Sequence, residues 1–329
     1  MFALRKSCCA GAALVIACGY GSAVTAQQPP ASYPSKPVKI VMPLGPGNSL
    51  EIAMRLVAEK LTSALGQPFV IEAQPGAAGQ IGTERVARSP ADGYTLLCAN
   101  DGIITMLPNL QKHVRFDPVR DFSPIAQMVG IPYVLIVHPS VQAKNAEELV
   151  QLAKARSGKL EYSSGGLGSA QQLAMELFMS ITGTSFVHVP YKGAPQAAMD
   201  VVSGQIPVAL AGVPIAASLI KQGRLRALGV ASDHRLALLP KTPTLAEQGI
   251  PLTFVAWGGL FAPAGTPADI IRRLNQETRA ALGSPDVQAR MAEFGLEIYG
   301  NSPEQFAEVV RTDLAKIASL VKRAGIEPQ

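Results

Sequence analysis

The residues best placed to do chemistry in this chain are hydroxyls and amides set just behind glycine loops. The first group is Gly45-Pro46-Gly47-Asn48-Ser49 and the second is Gly165-Gly166-Leu167-Gly168-Ser169. Asn48, Ser49 and Ser169 are good helix N-caps. A helix starting behind such a loop presents unpaired N–H groups and the positive end of its dipole to an anion. The first loop is not a phosphate loop, because no Gly-Lys-Ser/Thr follows. It is not a dinucleotide fingerprint either, because the third glycine is absent and Pro46 has no N–H. If two lobes face each other, Asn48, Ser49, Ser169 and the loop N–H groups can hold a small carboxylate between them. No buried counter-charge is needed, and lobe closure would bury the ligand.

Catalytic and metal chemistry finds less support. His113, His138, His188 and His234 are far apart, and no carboxylate or cysteine stands at metal-ligand spacing from them. There is no His-Glu-x-x-His and no Gly-x-Ser-x-Gly. His188, inside the strand pattern Phe186-Val187-His188-Val189, reads as a satisfied structural histidine, with Ser163, Ser164 and Ser169 as hydroxyls that could pair with it. Cys98 ends an apolar strand and reads as packing. The reading is a protein without cofactor, metal or catalytic residue. An enzyme on the same scaffold is the alternative and would need a base or nucleophile in the cleft.

These loops must be positioned by alternating strands and helices. Val38, Ile40 and Met42 alternate with Lys39 and Val41, and the run stops at Pro43. The next helix is predicted to carry Ile52, Leu56, Leu61 and Leu65 on its apolar face. A strand from Phe69 to Glu72, a helix from Ile81 to Arg88 and a strand from Tyr94 to Ala99 follow. This β-α-β-α-β order predicts a largely parallel sheet covered by helices on both faces. Asn100 to Thr105 falls at the carboxyl end of that third strand, the edge where open α/β sheets bind ligands. Two strands, Ile125 to Val129 and Tyr133 to His138, are expected on either side of Pro132, crossing into a second lobe. That lobe repeats the plan, with the second glycine loop between a strand at Leu160 to Ser163 and a helix at Gln171 to Ile181. Phe254 to Ala262, with Trp257, reads as a returning strand pair. Thr266-Pro267, Ser284-Pro285 and Ser302-Pro303 read as hydroxyl caps opening three helices. The last helix buries Phe306, Val309, Val310, Leu314, Ile317 and Leu320.

Composition allows a sizeable core and excludes some partners. Apolar residues make up 48% and charged residues 16% of 329 residues, enough for two domains. The net charge of +5 comes without a basic run, and aromatics are only 5%, so no nucleic-acid surface is expected. Residues 1–26 read as a signal peptide: Arg5 and Lys6, the apolar run from Cys8 to Ala17, and a cleavage site after Ala26. Val15-Ile16-Ala17-Cys18 also resembles a lipobox, which would leave Cys18 lipidated. Either way the protein is exported to the periplasm. Three of four cysteines lie in this segment, so the mature chain has no internal disulfide.

The residue order also resembles a known family. Tyr33-Pro34-Ser35-Lys36-Pro37-Val38-Lys39-Ile40-Val41, Asp92-Gly93-Tyr94-Thr95-Leu96-Leu97, Phe116-Asp117-Pro118-Val119-Arg120-Asp121-Phe122, His188-Val189-Pro190-Tyr191-Lys192-Gly193, Gly223-Arg224-Leu225-Arg226-Ala227-Leu228 and Ala262-Pro263-Ala264-Gly265-Thr266-Pro267 recur in order. They resemble the Bug-type substrate-binding proteins of tripartite tricarboxylate transporters, from about Tyr33 to the end. The resemblance implies an α/β, two-lobed periplasmic binding protein of type II with a ligand cleft between the lobes. The leader would be 27–33, the first lobe 34–133 plus 254–329, and the second lobe 134–253. It implies capture of a small organic carboxylate, or an amino acid, and delivery to membrane permease subunits by a monomer; feeding a membrane sensor is the other use.

The ligand positions carried over are Pro46, Gly47, Asn48 and Ser49, then Gly168, Ser169, Ala170 and Gln171, with Asn100, Asp101, Thr105, Tyr191, Gly212 and Val213 beyond them. The chain departs from the family pattern at Gly45-Pro46-Gly47-Asn48-Ser49-Leu50-Glu51. It also has Gln172 where a histidine is usual, Ala211-Gly212 where Asp-Asn is common, and Asp101 in a loop that is often uncharged. Asp101 is expected to remain solvated on its loop, because isolated carboxylates usually stay in water. Contact with a ligand ammonium is its other reading.

Overall fold

The computed structural model describes residues 33–323, Ser157 and Gly168 excepted. The expected signal peptide and nearly all of the leader lie outside the described residues. In chain order the first half contains β1 (Val38–Met42), α1 (Ser49–Leu65), β2 (Phe69–Ala73), α2 (Gln80–Ala87) and β3 (Thr95–Asn100). A wide π-turn (Gly102–Met106) then runs into α3 (Leu107–Leu110) and on to β4 (Phe122–Val137). The second half contains α4 (Ala146–Ala155), β5 (Glu161–Ser164), α5 (Ala170–Thr182), β6 (Val187–Pro190), α6 (Ala194–Val202), β7 (Val208–Gly212), α7 (Val213–Lys221) and β8 (Arg226–Val230). The chain returns through β9 (Val255–Pro263), α8 (Ala268–Gly283), α9 (Pro285–Glu293), β10 (Glu297–Ile298) and α10 (Pro303–Arg323).

Two parallel units flank an antiparallel centre. The strands run in the order β2-β1-β3-β9-β4-β7-β5-β6, with β8 and β10 also pairing with β4. β1 pairs in parallel with β2 and β3, and β5 with β6 and β7. β9 is antiparallel to both β3 and β4. β1 is a strand buried on both faces. Val38, Ile40 and Met42 join the cluster that holds Leu50, Ala53, Met54, Val57 and Leu61 of α1. Val41 belongs to the other side, with Val86 of α2 and Leu97 of β3. Both faces are covered by helices, as a parallel sheet requires.

Several local expectations are corrected. The buried face of α1 is Leu50, Ala53, Met54, Val57, Ala58, Leu61 and Leu65, while Ile52 and Leu56 are only half-buried. Small alanines let the helix approach the sheet closely, which turns its face about one position from the one drawn by large residues alone. β4 is one 16-residue strand where two were expected. Its last pair with β9 is Pro132↔Val255, and its first with β7 is Tyr133↔Gly212. The missing N–H of Pro132 falls where the strand changes partners, so it does not interrupt a continuous ladder. β9 is likewise a single strand. Of the three expected hydroxyl caps only Ser302 accepts from its helix, at 3.2 Å from the Gln305 N–H. Ser284 Oγ instead donates to Ala281, and Thr266 Oγ1 to Pro263. In α10, Phe306, Val310 and Ile317 are buried and Val309 and Leu314 half-buried.

Candidate functional site

The first loop is held from within. Gly47 takes φ +77°, a left-handed turn suited to glycine. Asn48 caps α1: its Oδ1 accepts from the Glu51 N–H at 2.9 Å, and its Nδ2 donates to the Gly45 carbonyl at 2.6 Å. Glu51 reaches back to accept the Gly47 N–H at 2.7 Å, while its other oxygen receives Arg55 at 2.5 and 3.1 Å. Burial pushes the Glu51 carboxyl up, but Arg55 and the Gly47 N–H outweigh it and hold the group below its ordinary range. Asn48-Ser49-Leu50-Glu51 is thus a variant of the capping box. The Gly47 N–H, expected to face an anion, already faces this carboxylate, and Pro46 and Gly47 are exposed. What turns inward is Ser49, 6% exposed, at the first position of α1. A Cβ built on Gly212 would lie 3.9 Å from Ser49 Oγ and 3.3 Å from Ile131. Gly212 is the N-cap of α7 and Val213, buried, its first residue. The N-termini of α1 and α7, one from each half, therefore meet at Ser49.

The second loop is also braced. Ser169 caps α5 by accepting from the Gln172 N–H at 3.3 Å, and its own N–H donates to Gly166 at 3.2 Å. Ala170 and Gln171 are buried, and the Gln171 amide oxygen lies 3.0 Å from where a Cβ on Gly165 would sit. Gly168 lies outside the described residues. Ser164 Oγ and His188 Nε2 are 2.6 Å apart, with Tyr162 stacked on the imidazole at 4.9 Å. Ser164 is fully buried and also engages the N–H and carbonyl of Gly166. Burial holds the His188 pKa below its ordinary value. This pair fastens the loop; sequence spacing admitted three serines and the fold selects Ser164. Ser163 donates to Ala197 instead. The Tyr191 hydroxyl is committed to Asp200 on α6 at 2.5 Å, a bond that pushes its pKa up to about 12. Cys98 is fully buried, which pushes its thiol well up.

The third group lies at the carboxyl end of β3. Asn100 accepts from the Ile103 N–H, and Thr105 donates to the Asp101 carbonyl at 2.9 Å. The expected solvated Asp101 is instead 4% exposed. It opens the wide turn, with Oδ1 accepting from the Gly102 N–H at 2.8 Å. Burial pushes its carboxyl up to about 8, the Asp313 charge adds to this, and the Gly102 and Trp257 N–H groups pull the other way. Asp313 in turn accepts from Trp257 Nε1 at 2.6 Å. Tyr133, in sequence terms only a strand residue, is 6% exposed and feels the Asp101 charge. Its position beside the proline at the crossing was the available signal. Two surface depressions, one around Pro108–Asp121 and one around Asn275–Gly300, include no residue of either loop.

Asp101 sets a testable pH dependence. The folded chain keeps this proton up to about pH 8, whereas the unfolded chain releases it near its ordinary 3.8. Stability from this group is therefore whole below the unfolded value and falls as pH rises, by at most about 1.4 kcal/mol per unit. Between pH 5 and 7 the wild type is expected to lose roughly 2 kcal/mol relative to Asp101→Asn, measured by urea denaturation of both. His188 acts in the opposite sense in part of this window but is common to both proteins. Parallel pH curves would contradict the assignment.

The model for the tripartite tricarboxylate transporter family receptors (TctC) matches residues 53–326. The chain belongs to this family. The receptor is 33% identical over 297 residues to Protein BugT of Bordetella pertussis, covering 89% of this chain and 91% of that one. Among solved structures it superposes on R. palustris Rpa4515 with adipate, at TM-score 0.86 and 32% identity, covering 90% of this receptor and all of the other. The periplasmic binding protein BugD gives 0.84 and 31%, with the same coverage. The fold of this receptor is therefore the two-lobed periplasmic binding-protein fold that the family resemblance implied. Among its described residues no group of three His, Cys, Asp or Glu could hold a metal ion, and no helix is long and apolar enough to cross a membrane.

Proposed function

We propose that this receptor captures a small organic carboxylate in the periplasm, between lobes 34–133 plus 254–329 and 134–253, and delivers it to a membrane permease. The observation that carries this is the meeting of two helix N-termini, Ser49 of α1 and Gly212-Val213 of α7, across the two halves. Each N-terminus leaves N–H groups without intrahelical acceptors, and their dipoles add at one anion. Closure of the lobes over a carboxylate brings the two ends together, so the ligand is worth more to the closed form than to the open one. That difference is what a permease could read. The adipate bound to Rpa4515, a family relative, supports this ligand class. Capture proceeds without covalent chemistry in this reading: Ser164–His188 braces the second loop, and the exposed Ser140–His138 contact is a local one between residues two apart.

Calorimetric titration of residues 27–329, refolded to remove bound ligand, tests this with adipate, malate, citrate, benzoate and amino acids. Tight binding of an acid that is recovered unchanged is expected. Turnover of the bound acid, or no binding across the panel, would overturn the proposal.

A further inference from the structure

We infer that residues 295–299 are a strap across the two lobes, and that Glu297 on this strap and His234 of the second lobe form a latch that engages when the ligand is enclosed. This rests on the carboxylate-capture reading and its lobes, 34–133 plus 254–329 and 134–253. It adds a control on how firmly the ligand is kept.

The strap is anchored on the first lobe beside the crossing. Glu297 pairs with Gly130 and Ile298 with Val129 of β4, and the Tyr299 N–H donates to the Met128 carbonyl at 3.1 Å. Two residues beyond Gly130 is Pro132, where β4 changes partners. The other end of the strap lies on the second lobe. Gly295 takes φ +68°, and a Cβ built there would come within 2.8 Å of Leu238 and 2.9 Å of Val213. Leu238 packs on the apolar cluster that contains Val213. Val213 is also the first residue of α7, whose N-cap Gly212 faces Ser49. The strap therefore bears on the same helix end that is proposed to hold the carboxylate.

The latch is half made. Glu297 Oε2 accepts from the Tyr299 hydroxyl at 3.3 Å, while Oε1 is buried and has no hydrogen-bond partner among the described residues. His234 Nε2 stands 3.9 Å from that oxygen, across the lobes. His234 Nδ1 is 2.6 Å from Asp233 Oδ1, so the imidazole lies between two carboxylates. Arg235, next in the chain, is taken by Glu247. The groups that face His234 are thus Asp233 from its own loop and Glu297 from β10, with Tyr299, which feels both charges, behind them. A hydrogen bond between charged partners spans about 2.8 Å, so roughly 1 Å of approach between the lobes would satisfy the orphaned oxygen. Protonated histidine donates from both nitrogens and can serve Asp233 and Glu297 together; the neutral ring has one N–H and leaves one carboxylate without a donor. Histidine changes charge between about pH 5 and 8. The latch is therefore whole on the acid side of that window and is lost as pH rises. Both side chains are partly exposed, which limits the effect to a few-fold.

The test compares residues 27–329 of the wild type, Glu297→Gln, His234→Asn and His234→Arg at pH 6 and pH 8. Calorimetry with adipate and malate reads affinity. The wild type is expected to gain about threefold in affinity from pH 8 to pH 6, over and above any change in Glu297→Gln and His234→Asn. Asp101 and the carboxyls of the probe are common to all four proteins and cancel in this comparison. His234→Arg, charged at both pH values, should bind about threefold tighter than the wild type at pH 8. Spin labels on Glu59→Cys of α1 and Lys154→Cys of α4, both exposed positions, read the lobe separation of the ligand-free protein; Cys98 is fully buried and takes no label. The wild-type distance distribution is expected to shift between pH 8 and pH 6 more than that of Glu297→Gln. Acids that bind with the same pH ratio in all four proteins would overturn the latch and leave carboxylate capture intact. If no acid binds, capture fails and the distances decide alone: a larger shift in the wild type supports the latch, and equal shifts overturn it as well.

Discussion

Phe306→Ala is expected to remove about 3–5 kcal/mol of folding stability, most of the margin of an ordinary domain. Phe306 is fully buried and anchors the start of α10 on β9. Its ring lies 4.8 Å from that of Phe261 and edge-on to Trp257 at 5.2 Å. Below it is Gly259, where a Cβ would come within 2.3 Å of the Phe306 ring. The glycine and the ring are thus a matched pair: backbone and aromatic face touch because no side chain separates them. Truncation loses the transfer free energy of the ring and leaves a cavity whose floor is β9 backbone, which cannot collapse easily. Phe306→Leu, retaining much of the volume, should cost less than half as much. Urea denaturation with a constant slope measures both. A loss under about 1 kcal/mol for Phe306→Ala would mean that this ring cluster does not hold α10 in place.

Gly212→Leu is expected to weaken carboxylate binding by at least about 100-fold while the protein remains folded. Gly212 has φ −61°, which any residue adopts, so the backbone is not strained by a side chain. Space is the constraint: a Cβ there would lie 3.3 Å from Ile131, 3.8 Å from Pro214 and 3.9 Å from Ser49. Alanine fits with a small shift of Ile131. Leucine projects apolar atoms between the two helix N-termini, displacing an anion and blocking closure. Gly212→Ala should therefore lose much less affinity than Gly212→Leu, and the pair separates steric exclusion from loss of fold. Titration with the best acid from the panel, alongside thermal melting, reads both. Equal affinities in wild type and Gly212→Leu would place the ligand away from this seam.

Much of the scaffold was legible in the chain. A strand, a glycine loop, a hydroxyl or amide cap and a helix recur in both halves, and local rules are enough to read them. β4 was not, because the break suggested by Pro132 depends on which neighbour the strand has at that residue. The face of α1 was misjudged because Ala53 and Ala58 are silent in a count of large apolar residues, yet they decide how closely the helix packs. The site was legible in part. Ser49 and Gly212 were named separately, but their meeting is a tertiary fact. The engagement of the Gly47 N–H by Glu51 was readable as a capping-box signature and was missed. The burial of Asp101 was not readable, since it is set by tertiary neighbours distant in sequence, among them the Trp257 N–H on its carboxyl and the nearby Asp313.

In the proposed capture a carboxylate is held where α1 and α7 begin. A crystal structure with the tightest-binding acid tests it most directly. Carboxylate oxygens are expected within hydrogen-bond reach of Ser49 and of the α7 N-terminus at Gly212-Val213. An acid seated elsewhere, with Ser49 and Gly212 still in contact with each other and not with the ligand, would contradict it.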